Sequence, residues 1–117
     1  NVLISKSFDF AIRVVKLYQY LTTEKREYVL SKQLLRSGTA VGVLIREAQN
    51  AESKLDFIHK LGIAQKECDE SIYWLELLHK TEYLTLNEFK SISKDATEIL
   101  KIIRSSILTI KQKIKKS

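Results

Sequence analysis

The chain has 117 residues, a formal charge of +6, 44% hydrophobic and 29% charged residues, enough for one domain with a real core. Zero Pro and three Gly leave almost nothing for the tight turns of a sandwich or barrel, one Cys excludes an intramolecular disulfide or a multi-cysteine zinc site, and two His are too few for a histidine-rich metal centre. The longest run free of polar side chains is Ala40 to Ile45, far short of the ~18 residues a bilayer span needs, so the expectation is a soluble, cytoplasmic protein with no membrane partner. No linker, low-complexity tract or repeat divides residues 1–117, which read as a single all-α domain.

The first helix is expected from about Ser7 to Thr22. Its apolar residues Phe8, Phe10, Ala11, Ile12, Val14, Val15, Leu17, Tyr18 and Leu21 cover more than half of a 100° wheel. One bundle core cannot use that much surface, so Phe10, Val14 and Leu17 are candidates for contact with a second copy of the chain. The second helix is expected over 31–49, with Ser31 held between Leu30 and Leu35 as a hydrophobic staple. Leu30, Leu34, Val41, Leu44, Ile45 and Ala48 share a face. Beside them lie Gly38 and Gly42, each costing ~1 kcal/mol against Ala inside a helix. Close approach by another helix answers that cost, and the pair joins the candidate oligomer interface. A phosphate loop is the alternative, but it lacks the required strand-then-loop context.

The third helix is expected over 53–81, opened by Ser53 and Asp56. Phe57, Leu61, Ala64, Cys68, Ser71, Leu75 and Leu78 step by four and three along one seam. Tyr73 and Trp74 point away from this seam, toward base stacking or an oligomer contact; the second is favoured because Ile63 and Leu77 share their side. Glu76 and His79 form one Glu-x-x-His, but a di-iron bundle needs two, and His59 stands ~30 Å away along the same helix. Cys68, inside the seam, reads as a small hydrophobe rather than a nucleophile. No catalytic grouping, phosphate loop or dinucleotide fingerprint appears, so the chain reads as non-enzymatic and without a cofactor.

A short link, 82–84, leads to the fourth helix, expected over 86–115. Thr85 and Glu88 read as a capping box, with Leu84 and Phe89 as its staple. The seam runs through Phe89, Ile92, Ala96, Ile99, Ile103, Ser106 and Ile110, flanked by Leu100, Ile107 and Ile114. Short connections make neighbouring helices antiparallel, hence an up-down-up-down four-helix bundle. From Lys101 to the end there are six basic residues and no acidic one, so this stretch alone accounts for the net charge. Lys90, Lys94, Lys101, Arg104, Lys111 and Lys115 fall opposite the Ile seam as one ridge. Such a ridge can track the phosphates of RNA or DNA, or it can be the solvated face of an amphipathic helix.

The run Leu30 to Gly42, then Ile45 to Ala48, Ala51 to Lys54, Asp56 to Leu61, Ile63 to Glu67 and Tyr73 to Leu78, resembles the bacterial four-helix-bundle family known as the 23S rRNA intervening-sequence proteins. Two positions depart from the family pattern: Leu44 stands where Asn is usual, and Cys68 where a small or basic residue is common. The resemblance implies a bundle assembling into a ring, commonly a pentamer. It also implies genes lying in insertions within large-subunit ribosomal RNA genes, and relatives that act as accessory partners of reverse transcriptases. It brings no catalytic residues. The resulting expectation is a non-catalytic, basic, oligomeric accessory protein associated with RNA; the alternative is an oligomeric scaffold that binds another protein.

Overall fold

The computed structural model describes residues 1–116. Four helices, α1 (Val2–Thr23), α2 (Leu30–Gln49), α3 (Lys54–Lys80) and α4 (Leu86–Lys116), fill an envelope of 53 × 22 × 20 Å. Each helix packs on the next, and α1 closes against α4, so the α1–α2 face lies opposite the α3–α4 face. The reversals after α1 and after α3 place Arg26 (φ 53°) and Glu82 (φ 71°) in the left-handed region. The chain therefore turns there with neither Gly nor Pro, at the modest cost of non-glycine residues in that conformation.

Helix α1 begins at Val2 rather than at about Ser7. The side-chain oxygen of Asn1 accepts from the amides of Leu3 (2.8 Å) and Ile4 (3.4 Å), and Leu3 enters the core. Helix α2 is capped differently from the expectation too: Ser31 is inside the helix, buried, its hydroxyl donating to the Glu27 carbonyl at 2.8 Å. The cap is the Glu27 carboxylate, which accepts from the amides of Val29 (3.0 Å), Leu30 (2.9 Å) and Ser31 (2.7 Å). Burial pushes the Glu27 pKa up, but these amides together with the Ser31 hydroxyl outweigh it and hold the carboxyl below its ordinary value.

The expected starts of α3 and α4 are present. Ser53 Oγ accepts from the Asp56 amide at 3.0 Å; Thr85 and Glu88 exchange bonds of 2.8 and 3.2 Å. Both seams face inward. Leu61, Ala64, Cys68, Ser71, Leu75 and Leu78 are buried from α3, with Ile92, Ala96, Ile99, Leu100 and Ile103 from α4. The seam ends, Phe57, Phe89, Ser106 and Ile110, are half-buried. Both polar seam positions are satisfied: the Ser71 hydroxyl donates to that of Ser37 at 2.9 Å across α2 and α3, and the Ser106 hydroxyl to the Ile102 carbonyl at 2.8 Å.

Within α2, Gly38 serves the packing of this protomer. A Cβ on Gly38 would stand 2.8 and 2.9 Å from the two γ-carbons of Val14, and one on Gly42 would stand 3.5 Å from the Ser7 carbonyl oxygen. Glycine lets α1 and α2 approach closely, and Phe10 and Val14, 1% and 0% exposed, are interior residues. Phe10, Val14 and Gly38 are thereby removed from any oligomer interface: the space they were expected to offer a second copy is filled by the chain itself.

Two outcomes follow for stability. Gly38→Ala is expected to lower the melting temperature, because crowding stiff Val14 costs ~1–3 kcal/mol and exceeds the ~1 kcal/mol gain in helix propensity; a variant melting above the parent would contradict this packing. Glu27 stabilises fully above the unfolded carboxyl value near 4.5, and its contribution fades as pH falls through the lower folded value. Glu27→Gln is expected to lose about 1–2 kcal/mol at neutral pH, and the gap from the parent is expected to narrow as pH falls through the folded value, in melts from neutral to acid pH.

Candidate nucleic-acid interface

The inward seam of α4 decides what its other faces carry. Lys90, Lys94, Lys101, Arg104, Lys111 and Lys115 are all exposed on the flank away from the core. The acidic residues of α4 are drawn elsewhere. Glu88 is held in the capping box, Asp95 pairs with Arg13 at 2.8 Å, and Glu98 pairs with Lys6 at 3.1 Å. The last two lie on the side toward α1. Positive charge therefore occupies one flank of α4, and Arg104 alone of the six approaches a carboxylate in an ion pair, Asp69 Oδ1 at 4.0 Å.

The α2–α3 side is electrostatically closed. Arg36 meets both carboxylate oxygens of Glu67 at 3.0 Å and also reaches Glu70, and these bonds raise its pKa further. Glu70 accepts from the Trp74 indole as well, at 3.0 Å; that bond and then Arg36 hold the Glu70 carboxyl below its ordinary value. Lys60 pairs with Glu47 at 2.8 Å, a bond that raises the Lys60 pKa. Exposed pairs of this kind add little stability individually, but they cancel charge locally.

The residues expected at an oligomer interface do not form one surface. Leu17 is half-buried in a groove of about 530 Å³ between α1 and α4, with Arg13, Tyr20 and Ile92. Gly42 faces Ser7 within the protomer. Trp74 is half-buried against the core, with its indole on Glu70, and the Tyr73 ring packs edge-on against it at 5.0 Å, leaving Tyr73 57% exposed. A different apolar surface is open instead. Phe8, Ile12 and Val15 form an exposed stripe along α1, Val43 is exposed on neighbouring α2, and Arg46 lies over the Phe8 ring at 5.1 Å. The spacing 8, 12, 15 carries this signal in the sequence, but the wide apolar arc of the helix hides which half faces out.

The other candidate chemistry is occupied structurally. His79 Nδ1 is 3.1 Å from the Leu84 carbonyl and its ring stacks on Phe89 at 4.8 Å, while Glu76 is exposed. No three His, Cys, Asp or Glu among the described residues converge as a metal site. Burial, and secondarily Asp69, push the Cys68 thiol up to about 12, and its Sγ lies 3.3 Å from the Ala96 carbonyl. No helix among the described residues is long and apolar enough to cross a membrane.

These features define a small all-α protein of four packed helices with one cationic flank. The family model of the 23S rRNA-intervening sequence protein matches residues 1–105, and the chain belongs to that family. Lys111 and Lys115 lie beyond the matched span. A crystal structure of a protein with unknown function from the S23 ribosomal protein family of Bacteroides thetaiotaomicron is 53% identical, with a TM-score of 0.89 over 90% of this chain and 97% of that one. No curated protein sequence matches the chain.

Proposed function

We propose that this protein is a non-catalytic accessory protein that binds the phosphate backbone of RNA with little sequence preference. The observation that carries the reading is the separation of charge on α4: six exposed cations on one flank, with Asp95 and Glu98 tied to α1 on another. The ridge spans ~38 Å at 1.5 Å per residue, long enough to pass several phosphates. Five of its six cations are Lys, which meets phosphate as a point charge, so little base reading is expected. The family description supplies the link to ribosomal RNA.

The same reading takes the protein as a homo-oligomer, a ring of five being what the family resemblance implies. Its subunit contact includes the exposed apolar face of Phe8, Ile12, Val15 and Val43, which in a ring meets a second, different surface of the neighbouring subunit. That face lies opposite the α3–α4 side, so each subunit keeps its own ridge free.

Two measurements test the proposal. In a titration with RNA, log affinity is expected to fall linearly with log salt, with a slope near 0.7 for each phosphate contact on a single strand. Changing Lys101, Arg104 and Lys111 together to Glu should leave the fold intact and reduce both affinity and slope. Absence of binding by the parent at about 50 mM salt, or unchanged binding by the triple variant, would return the ridge to a solvated face and leave the scaffold reading. For assembly, sedimentation equilibrium at micromolar concentration should show an oligomer that Ile12→Glu shifts toward monomer; a monomeric parent would refute the contact.

A further inference from the structure

Packing requires glycine at Gly38, where a Cβ would stand 2.8 Å from Val14; a Cβ on Gly42 would make ordinary contact with Ser7 at 3.5 Å, and one on Gly62 would meet nothing within 4 Å. Gly62 sits inside α3, where glycine destabilises the helix relative to alanine, and packing within the protomer does not require it.

The register of α3 against α4 shows what surrounds it. Asp69, seven residues on and therefore on the same flank as Gly62, approaches Arg104; Phe57 and Ile110 line a common pocket. Gly62 lies midway between residues 57 and 69, so it is level with about residue 107 of α4, with Arg104 and Lys111 half a helical turn to a full turn to either side. On α3 itself, His59 and Lys66 stand three residues before and four after, the positions adjacent on a helix surface, and both are exposed. Leu108, 58% exposed, lies between Arg104 and Lys111. Gly62 is half-buried with open space where a Cβ would stand; Ile58, His59, Gln65 and Lys66 are its neighbours on α3, and the register puts Arg104 and Lys111 about one turn to either side on α4.

Resting on the proposed RNA reading, we infer that Gly62 is the floor of a phosphodiester-binding notch on the α3–α4 face. Without a Cβ, an RNA strand can approach the α3 backbone closely enough for cations from both helices to reach the same stretch of phosphates, while Leu108 offers an apolar rest for a ribose. A ridge on α4 alone would contact a strand from one side only. The notch adds α3 to the binding surface and extends it beyond the charges of the fourth helix. Asp69 bounds the notch on one side, since a carboxylate repels phosphate there.

The test separates stability from binding. Gly62→Ala and Gly62→Leu both replace a helix-weakening residue in open space, so each is expected to melt at or above the parent temperature, the Ala variant by about 3–6 °C. In titrations with a short unstructured oligo(U) RNA at fixed low salt, Gly62→Leu should weaken binding about tenfold or more and Gly62→Ala less. If Gly62→Leu folds and binds as tightly as the parent, the notch is refuted and the glycine answers a protein surface instead. The triple change at Lys101, Arg104 and Lys111 distinguishes the two levels. Loss of binding there with none at Gly62 overturns only this inference, whereas failure of the parent to bind overturns the RNA reading and the notch with it.

Discussion

The one-sided seam of α4 is the constraint on which the rest of the molecule depends. Ile92, Ala96, Ile99 and Ile103 are all buried, which fixes the rotation of a 31-residue helix about its axis. Once that rotation is set, every other residue of α4 has an assigned side. Asp95 and Glu98 fall toward α1, where Arg13 and Lys6 meet them, and the cations fall on the opposite flank. The hydrophobic term, worth roughly 1.5–3 kcal/mol for each large buried side chain, far outweighs the exposed ion pairs at ~0–1 kcal/mol each. Charge separation on the surface is thus a consequence of packing, maintained at little electrostatic cost because the cations remain in water.

Glycine placement divides the bundle in the same way. In the α1–α2 half, Gly38 permits a close helix approach and locks Val14 inside, so that half of the apolar arc of α1 is consumed by the protomer. The remaining half, Phe8, Ile12 and Val15, is left in water beside Arg46, with Asp9 and Lys16 exposed at its edge. In the α3–α4 half, the space beside Gly62 is open. An apolar face and a cationic face therefore stand on opposite sides of a molecule only 20–22 Å across its short axes, an arrangement suited to assembly through one and polyanion contact through the other.

Much of this was legible in the residues. The seams of α3 and α4 and the Thr85–Glu88 box lie where the periodicity places them, because three or more heptads of consistent spacing leave a single rotation for each helix. The start of α1 was not, since Asn1 caps from the first position of the chain with no preceding pattern to mark it. Nor was the cap of α2: a glutamate that reaches forward two to four residues to three amides falls outside the Ser-x-x-Glu pattern. Phe10, Val14 and Gly38 lie inside the protomer for a geometric reason. An apolar arc wider than one core states that some of it is spare, but which half is spare depends on where Gly38 admits the neighbouring helix. Gly62 stands in the sequence as plainly as Gly38, and only the empty space around it sets the two apart.

If nucleic acid lies along the cationic flank of α4, lysine footprinting by acetylation, read by mass spectrometry with and without saturating RNA, will show protection of Lys90, Lys94, Lys101, Lys111 and Lys115, together with Lys66 beside the notch. Lys16 and Lys32, on α1 and α2, should react at their free rates. Equal protection of all lysines, or protection centred on α1 and α2, would contradict it.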